Sequence, residues 1–521
     1  MAENTPAQTI AAGYATEGSA LELGTVLVDG VVDPAAKVRI PFATLNRHGL
    51  VAGATGTGKT KTLQGLAGQL SDAGVPVLLA DVKGDLSGLA RAGEHNPKVD
   101  QRATDTGDDW TPTAYPVEFL SLGEKSAATP IRATLTQFGP ILLSKVLDLN
   151  DTQESTLGLI FHWADQRGLP LLDTKDLRAV IQHLTSDEGK AELKGIGGVS
   201  AATAGVILRA LVNLEAQGGE AFFGEPEFDP ADLLRVVDGK GVVTLLELAE
   251  QSANPKLFST FLMWLLAELF EELPEAGDLD KPKLVFFFDE AHLLFNDASK
   301  AFLERIEQTV KLIRSKGVGV FFCTQLPTDI PNNVLSQLGA RVQHALRAFT
   351  PDDQKALTKT VKTYPTSKVY DLEEALTSLG TGEAVVTVLS ETGAPTPVAW
   401  TRLRAPRSLM AAIGPEAVTE AAKASPLWPK YGETVDRESA YETLTGRMAA
   451  QQQAQQQAQE QAPPAPADAP PPPPPPAEEQ GGSSWFSDMI SSPAAKSFMR
   501  SAASAAGREI TRSLFGTRRR R

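Results

Sequence analysis

The chain has 521 residues, 42% of them hydrophobic, which is more than one compact core usually holds and predicts a large folded body with appendages. Its 49 lysines and arginines stand against 64 aspartates and glutamates, and the net charge of −15 excludes a protein that coats nucleic acid by global positive charge. One cysteine, Cys323, excludes an intramolecular disulfide and a Cys-rich metal cluster, six scattered histidines give no zinc signature, and this usage points to the reducing cytoplasm.

No basic N-terminal segment runs into an apolar stretch of the secretory kind. Residues 1–45 read instead as a short strand-rich prelude, most regular from Ala20 to Val32. An apolar segment, Gly49 to Ala52, then leads into Gly53-Ala54-Thr55-Gly56-Thr57-Gly58-Lys59-Thr60, and a helix is predicted from Lys61 to Leu70. This is the pattern G-x-x-x-x-G-K-[ST], the Walker A form, in the strand-loop-helix context it requires. Its glycines let successive backbone N–H groups face a phosphate, and the helix adds its positive end. Lys59 is expected to reach the β and γ phosphates of ATP, and the Thr60 hydroxyl to coordinate Mg²⁺.

Beyond the loop, apolar runs alternate with helical patterns, which predicts an α/β fold with a mainly parallel sheet covered by helices. The strands are expected at Val75–Asp81, Val242–Leu248, Leu284–Asp289, Val318–Thr324 and Arg341–Ala348. Several end in a polar residue, as buried strands do where they deliver side chains to a site at their carboxyl ends. The segment Val75 to Asp85 ends in Asp81 and Asp85, whose acidity could serve a metal, a neighbouring subunit or solvation. Residues 124–239 are expected to form a helical insertion without strands, with helices over Ile131–Leu149, Thr152–Gly168, Thr174–Leu184 and Ser200–Gln217. The most apolar stretch, Leu257 to Phe270, contains Glu268 and is too short to span a bilayer.

Lys283 to His292 reads Lys-Leu-Val-Phe-Phe-Phe-Asp-Glu-Ala-His, an unbroken apolar strand finished by two carboxylates. Asp289 is expected to hold Mg²⁺ as a Walker B aspartate does, and Glu290 to orient and deprotonate the attacking water. The alternative use of the pair is to cap the helix starting near Ala291. The next strand, Val318 to Gln325, places the Gln325 amide where a γ-phosphate sensor would sit, with Cys323 as buried filler. Between these strands, Ser299–Lys316 is an amphipathic helix closed by Lys311, Arg314 and Lys316. Arg314 and Arg347 are both candidates for an arginine finger acting on a neighbouring subunit. Ala384–Ser390 and Pro397–Leu403 are expected to pair as a β-hairpin.

Residues 46–410 thus form the expected core and 411–450 a helical extension. From 451 to 482 the chain is Gln/Ala-rich and then Pro-rich and reads as a disordered linker, in which the glutamines and alanines could extend a helix while the prolines favour extended polyproline II. The tail, 483–521, carries eight basic residues against Asp488 and Glu509, a local +6 that leaves −21 on everything before it. Its Trp485, Phe486, Met489 and Ile490 fall at helical spacing, so the tail could meet an anionic membrane surface, a protein groove or DNA phosphates.

Together the phosphate loop, Asp-Val-Lys-Gly-Asp, Phe-Phe-Asp-Glu-Ala-His and Cys-Thr-Gln-Leu-Pro-Thr-Asp-Ile-Pro resemble the HerA/FtsK branch of P-loop ATPases, and more narrowly the bacterial HerA-like proteins. The resemblance covers roughly Leu21 to Arg404. It implies a RecA-like core assembled as a hexameric ring, ATP sites between subunits, and work on double-stranded DNA as a translocase or helicase. Lys59, Thr60, Asp289, Glu290 and Gln325 carry over as the ATPase set; neither Arg314 nor Arg347 aligns to the family's arginine finger. The long N-terminal barrel of archaeal HerA is reduced here to the prelude, and no membrane module of the FtsK kind is expected. A protein-remodelling or membrane-associated assembly ATPase, and a nucleotide-gated switch without DNA, fit the same residues.

Overall fold

The computed structural model describes residues 5–123, 126–193, 195–248, 255–277, 279–295 and 300–460; the greater part of the Pro-rich linker and the whole basic tail lie outside the described residues. The chain divides into two compact units, Met1–Gln452 and Gln453–Arg521. Among the described residues the first has fourteen strands: β1 (Ala20–Val28), β2 (Val31–Pro41), β3 (Gly49–Ala52), β4 (Val77–Asp81), β5 (Val117–Leu122), β6 (Thr129–Ile131), β7 (Val236–Val237), β8 (Lys240–Gly241), β9 (Val243–Glu247), β10 (Leu284–Phe288), β11 (Val318–Thr324), β12 (Ala340–Gln343), β13 (Glu383–Thr387) and β14 (Ala399–Leu403). Twelve form one sheet in the order β2-β1-β14-β13-β12-β3-β11-β10-β4-β9-β5-β6, and β7 and β8 form a separate two-stranded ribbon.

From β12 through β6 every neighbouring pair is parallel, and from β13 to β2 every pair is antiparallel. The parallel strands read as continuous apolar runs because both of their faces are covered. Successive side chains still alternate. Leu284, Phe286 and Phe288 of β10 enter one core with Val320 and Phe322 of β11. Val285, Phe287, Phe321 and Cys323 enter the core on the other face. The first core is roofed by the insertion helices, of which Leu135–Val146, Asp151–Gln166, Thr174–Thr185 and Ala201–Ala216 are the longest, and by the helix Pro255–Glu272. The second is roofed by the helix Lys59–Asp72.

Several expectations are corrected. The N-terminal segment is not a separate prelude, because β1 pairs with β14 and so closes the antiparallel edge of the same sheet. The run Ala20 to Val32 is two strands, turned at Asp29 and Gly30, both at positive φ. The insertion does contain strands: β6 lies at the parallel edge beside β5, and β7 precedes β8. The ladder of β12 stops at Gln343, well short of Ala348. Of the two courses open to the Gln/Ala-rich stretch, the structure takes the helical one, as the helix Ala440–Glu460 of the C-terminal extension continues through it.

Among the described residues no helix is long and apolar enough to cross a membrane. The apolar run from Leu257 instead lies in Pro255–Glu272, where Phe261 to Leu266 are all buried. Opposite the carboxyl ends of the strands, His48 ties β11 to the helix Lys300–Ile313. The Val320 N–H donates to Nδ1 at 3.1 Å, so Nε2 carries the proton and donates to the Val310 carbonyl at 2.7 Å. Burial holds this imidazole down at a pKa of about 4.

Candidate nucleotide site

The phosphate loop leaves β3 at the carboxyl edge of the sheet and is tied down where it begins. Gly53 N–H donates to the Thr324 carbonyl at 3.2 Å, and Ala54 N–H to the Ala345 carbonyl at 2.9 Å. Gly53 sits at φ +150°, and a Cβ there would lie 2.5 Å from the Cβ of His344, so only glycine fits. The tip, Thr55 and Gly56, is exposed, whereas Thr57 is buried with its hydroxyl donating to the Ala54 carbonyl at 2.7 Å. Gly58 is the N-cap of Lys59–Asp72 and supplies no side-chain cap. The first N–H groups of that helix are therefore left for an anion. Lys59 Nζ folds over the loop, donating to the carbonyls of Gly53 at 2.6 Å and Ala54 at 3.2 Å. Thr60 follows in the first helical turn, half-buried.

β11 separates β3 from β10, so the loop after β10 opens beside the phosphate loop. There Asp289 Oδ1 accepts the Glu290 N–H at 2.9 Å, and the Ala291 N–H donates to the Cys323 carbonyl at 2.9 Å. Burial, and then the charge of Glu290, push Asp289 up to about 6, against hydrogen bonds from Glu290 N–H and the Cys323 thiol. Cys323 is buried, as expected of it. Glu290 itself is at φ +49°, with Oε1 3.6 Å from Lys83 Nζ and Oε2 3.3 Å from His292 Nδ1. Gln325 is exposed just after Thr324, whose carbonyl holds Gly53. Lys59, Thr60, Asp289, Glu290 and Gln325 thus converge on one edge of the sheet.

The arginines separate. Arg347 lies in the loop after β12, with its guanidinium 3.4 Å from the Thr55 carbonyl, so it is beside its own phosphate loop. Arg314 is exposed in the turn before β11, at the opposite end of a seven-residue strand, about 20 Å from the loop at 3.3 Å per residue. Among the described residues it lies out of reach of the phosphate loop. Asp81 also resolves: its two oxygens accept the N–H groups of Lys83, Gly84, Asp85 and Leu86, so it holds the loop after β4. Three contributors went unnoticed in the sequence. His344, fully buried, meets the Thr62 hydroxyl at 3.0 Å through Nε2, and burial followed by the charge of Lys59 keeps it near pKa 4. The turn Thr381–Gly382 buttresses Thr57 and is gripped by Arg102. Lys83 is the third, and its position inside the quoted Asp-Val-Lys-Gly-Asp segment is the signal that could have found it.

The donor set suits a hard divalent cation shared with phosphate. Asp289 presents a half-buried carboxylate whose charge is raised in cost by its neighbour, and Thr60 presents a hydroxyl at the start of the helix. Among the described residues no three His, Cys, Asp or Glu side chains gather as a metal cage. Mg²⁺ commonly takes only one or two protein oxygens beside phosphate and water, so these residues fit it.

The family pattern described as helicase HerA-like C-terminal matches residues 29–521. The chain belongs to this HerA-like family. The HerA-like chain is 24% identical over 371 residues to the DNA double-strand break repair helicase HerA of Sulfurisphaera tokodaii, and 22% identical over 372 residues to the protein of the same description from Sulfolobus acidocaldarius. Each match covers 70% of this chain and 66% of the relative, so the HerA-like chain spans just under two thirds of those relatives' length. The plasmid coupling protein TrwB, solved in complex with ADP and Mg²⁺, is similar at a TM-score of 0.51 and 15% identity, over 78% of this chain and 93% of TrwB. That likeness is one of fold, a RecA-like P-loop NTPase core with a mainly parallel sheet.

Proposed function

We propose that this protein is a Mg²⁺-dependent ATPase that works as a ring, a hexamer by family resemblance, and converts hydrolysis into movement along DNA. The observation that carries the reading is the convergence of the phosphate loop of β3 with Asp289 and Glu290 of β10 on either side of Gln325. Lys59 and the loop N–H groups bind and orient the β and γ phosphates. Thr60 and Asp289 would hold Mg²⁺, which supplies neutralisation of the charge developing on the phosphate oxygens. Glu290 orients a water and takes its proton as the oxygen attacks the γ-phosphorus and the bond to the β–γ bridging oxygen breaks, releasing phosphate with ADP as the leaving group, and Gln325 contacts the γ-phosphate. Arg347 stands where it can contact phosphate in its own subunit; Arg314 could serve only a neighbour. DNA as substrate is supported by the description of the two HerA relatives. The proposed location is the cytoplasm, with the basic tail as the route to an anionic membrane surface or a protein partner.

The test is phosphate release by the full chain, with and without Mg²⁺ and double-stranded DNA, over a range of salt. The expected result is Mg²⁺-dependent turnover that rises with DNA and loses the rise as salt increases, because phosphate contacts release counterions. Turnover indifferent to DNA at every salt would remove DNA as the substrate and leave a protein-threading ring or a nucleotide-gated switch.

A further inference from the structure

The loop after β4 carries a cation that the ATPase set does not include. Because β4 and β10 are parallel neighbours, with Phe287 opposite Leu79, the residues that follow them emerge side by side at the carboxyl edge. Asp81 freezes the first of these loops by accepting four consecutive backbone N–H groups, from Lys83 to Leu86. The loop fixed in this way places the Lys83 backbone beside the end of β10. Its Nζ lies 3.6 Å from Glu290 Oε1, while His292 Nδ1 stands 3.3 Å from Oε2, so the carboxylate is flanked on both sides. From behind, the Glu290 N–H is held by Asp289 and its backbone is in the left-handed region.

We propose that Lys83 is a positioning residue for Glu290, fixing the direction in which its carboxylate faces the attacking water. This rests on the ATPase reading above. Half of the Lys83 side chain is exposed, and ion pairs at that exposure contribute little to stability, so the contact does not serve to hold the fold. Burial lowers the Lys83 ammonium, and the charges of Asp289, Glu290 and Asp85 more than offset this. Orientation of a general base is worth a large factor in rate, because a displacement near 1 Å can cost about a hundredfold.

The experiment compares Lys83→Met, Lys83→Arg, Glu290→Asp and the Lys83→Met/Glu290→Asp double variant of the full chain in ATP turnover, nucleotide affinity and thermal unfolding. Lys83→Met is expected to lower kcat by about ten- to a hundredfold with KM for ATP and the melting temperature unchanged. Lys83→Arg, which keeps the cation, should recover most of that loss. Aspartate is one methylene shorter and withdraws from Lys83, so in the Glu290→Asp background the methionine should cost less than about twofold. Wild-type kcat in Lys83→Met, a loss confined to KM, or the same loss in the Glu290→Asp background would each overturn the assignment while leaving the ATPase intact. Absence of turnover in the unaltered protein would instead overturn the ATPase reading, and the role of Lys83 with it.

Discussion

Glu290 is held in the left-handed backbone region, where the other described non-glycine residues are Asp29, His48, Asp148 and Asp238. Aspartate and histidine tolerate that region better than glutamate, and strain of about 1 to 3 kcal/mol at such a residue persists where the surroundings fix it. The hydrogen bond from the Glu290 N–H to Asp289 Oδ1 contributes to that fixing. Glu290→Gln keeps the shape and removes the base, so phosphate release should fall by about 10² to 10⁴-fold while ATP binding, followed with a fluorescent analogue, persists. Continued hydrolysis would take Glu290 out of its role. A second carboxylate, Glu247 at the end of β9, is pushed up to about 7 by burial and then by Asp81 beside it. With the folded pKa above the unfolded one, its contribution to stability is fully present below about pH 4.5 and is lost as pH rises through 7. Glu247→Gln should therefore leave urea stability nearly unchanged at pH 4.5 and raise it by about 2 kcal/mol at pH 8. An equal gain at both values would mean that the charge is not the cause.

At the scale of elements, the helix Pro255–Glu272 shows what an apolar run is for. It is wedged between the sheet and the insertion, with Phe261 fully buried and in ring contact with Trp264 at 5.0 Å. Phe261→Ala should cost about 3 to 5 kcal/mol in chemical denaturation, through lost transfer energy and the cavity left behind. A cost below about 1 kcal/mol would place this helix outside the cooperative core. The strands legible in the sequence include β4, β9, β10 and β11, which are buried on both faces, the start of β12, and the antiparallel pair β13 and β14. β5 was missed because Glu118 interrupts its apolar run. Its carboxylate is buried against Arg235 at 2.7 Å and the Ser425 hydroxyl at 2.7 Å, partners far along the chain. No local pattern announces them. The short β6, only three residues long, was missed for a related reason: it is stabilised by lying beside β5 rather than by its own propensity.

For the whole molecule, the net charge divides into −21 before residue 483 and +6 after it. A ring that holds DNA must therefore gather its basic residues on a few surfaces. If Arg314, exposed and far from its own phosphate loop, acts on a neighbour's phosphate, assembly has a direct consequence for chemistry. Native mass measurement should show a multiple of 55.4 kDa when ATP and Mg²⁺ are present. A strict monomer with and without nucleotide would leave Arg314 no phosphate to act on, and would remove the ring from the proposal.

What the sequence by itself determined is the chemistry that local pattern encodes. The phosphate loop between strand and helix, the carboxylates closing β10 and the polar end of β11 are each written in a few consecutive residues, because backbone geometry, side-chain period and strand burial act over that range. The tertiary structure alone decided which strand ends become neighbours. It folded β1 and β2 onto the far edge of the same sheet, put His344 beneath Gly53, turned Asp81 inward to fix its loop, and brought Lys83 to Glu290. Those contacts depend on strand order, and strand order is fixed by packing among segments that lie hundreds of residues apart.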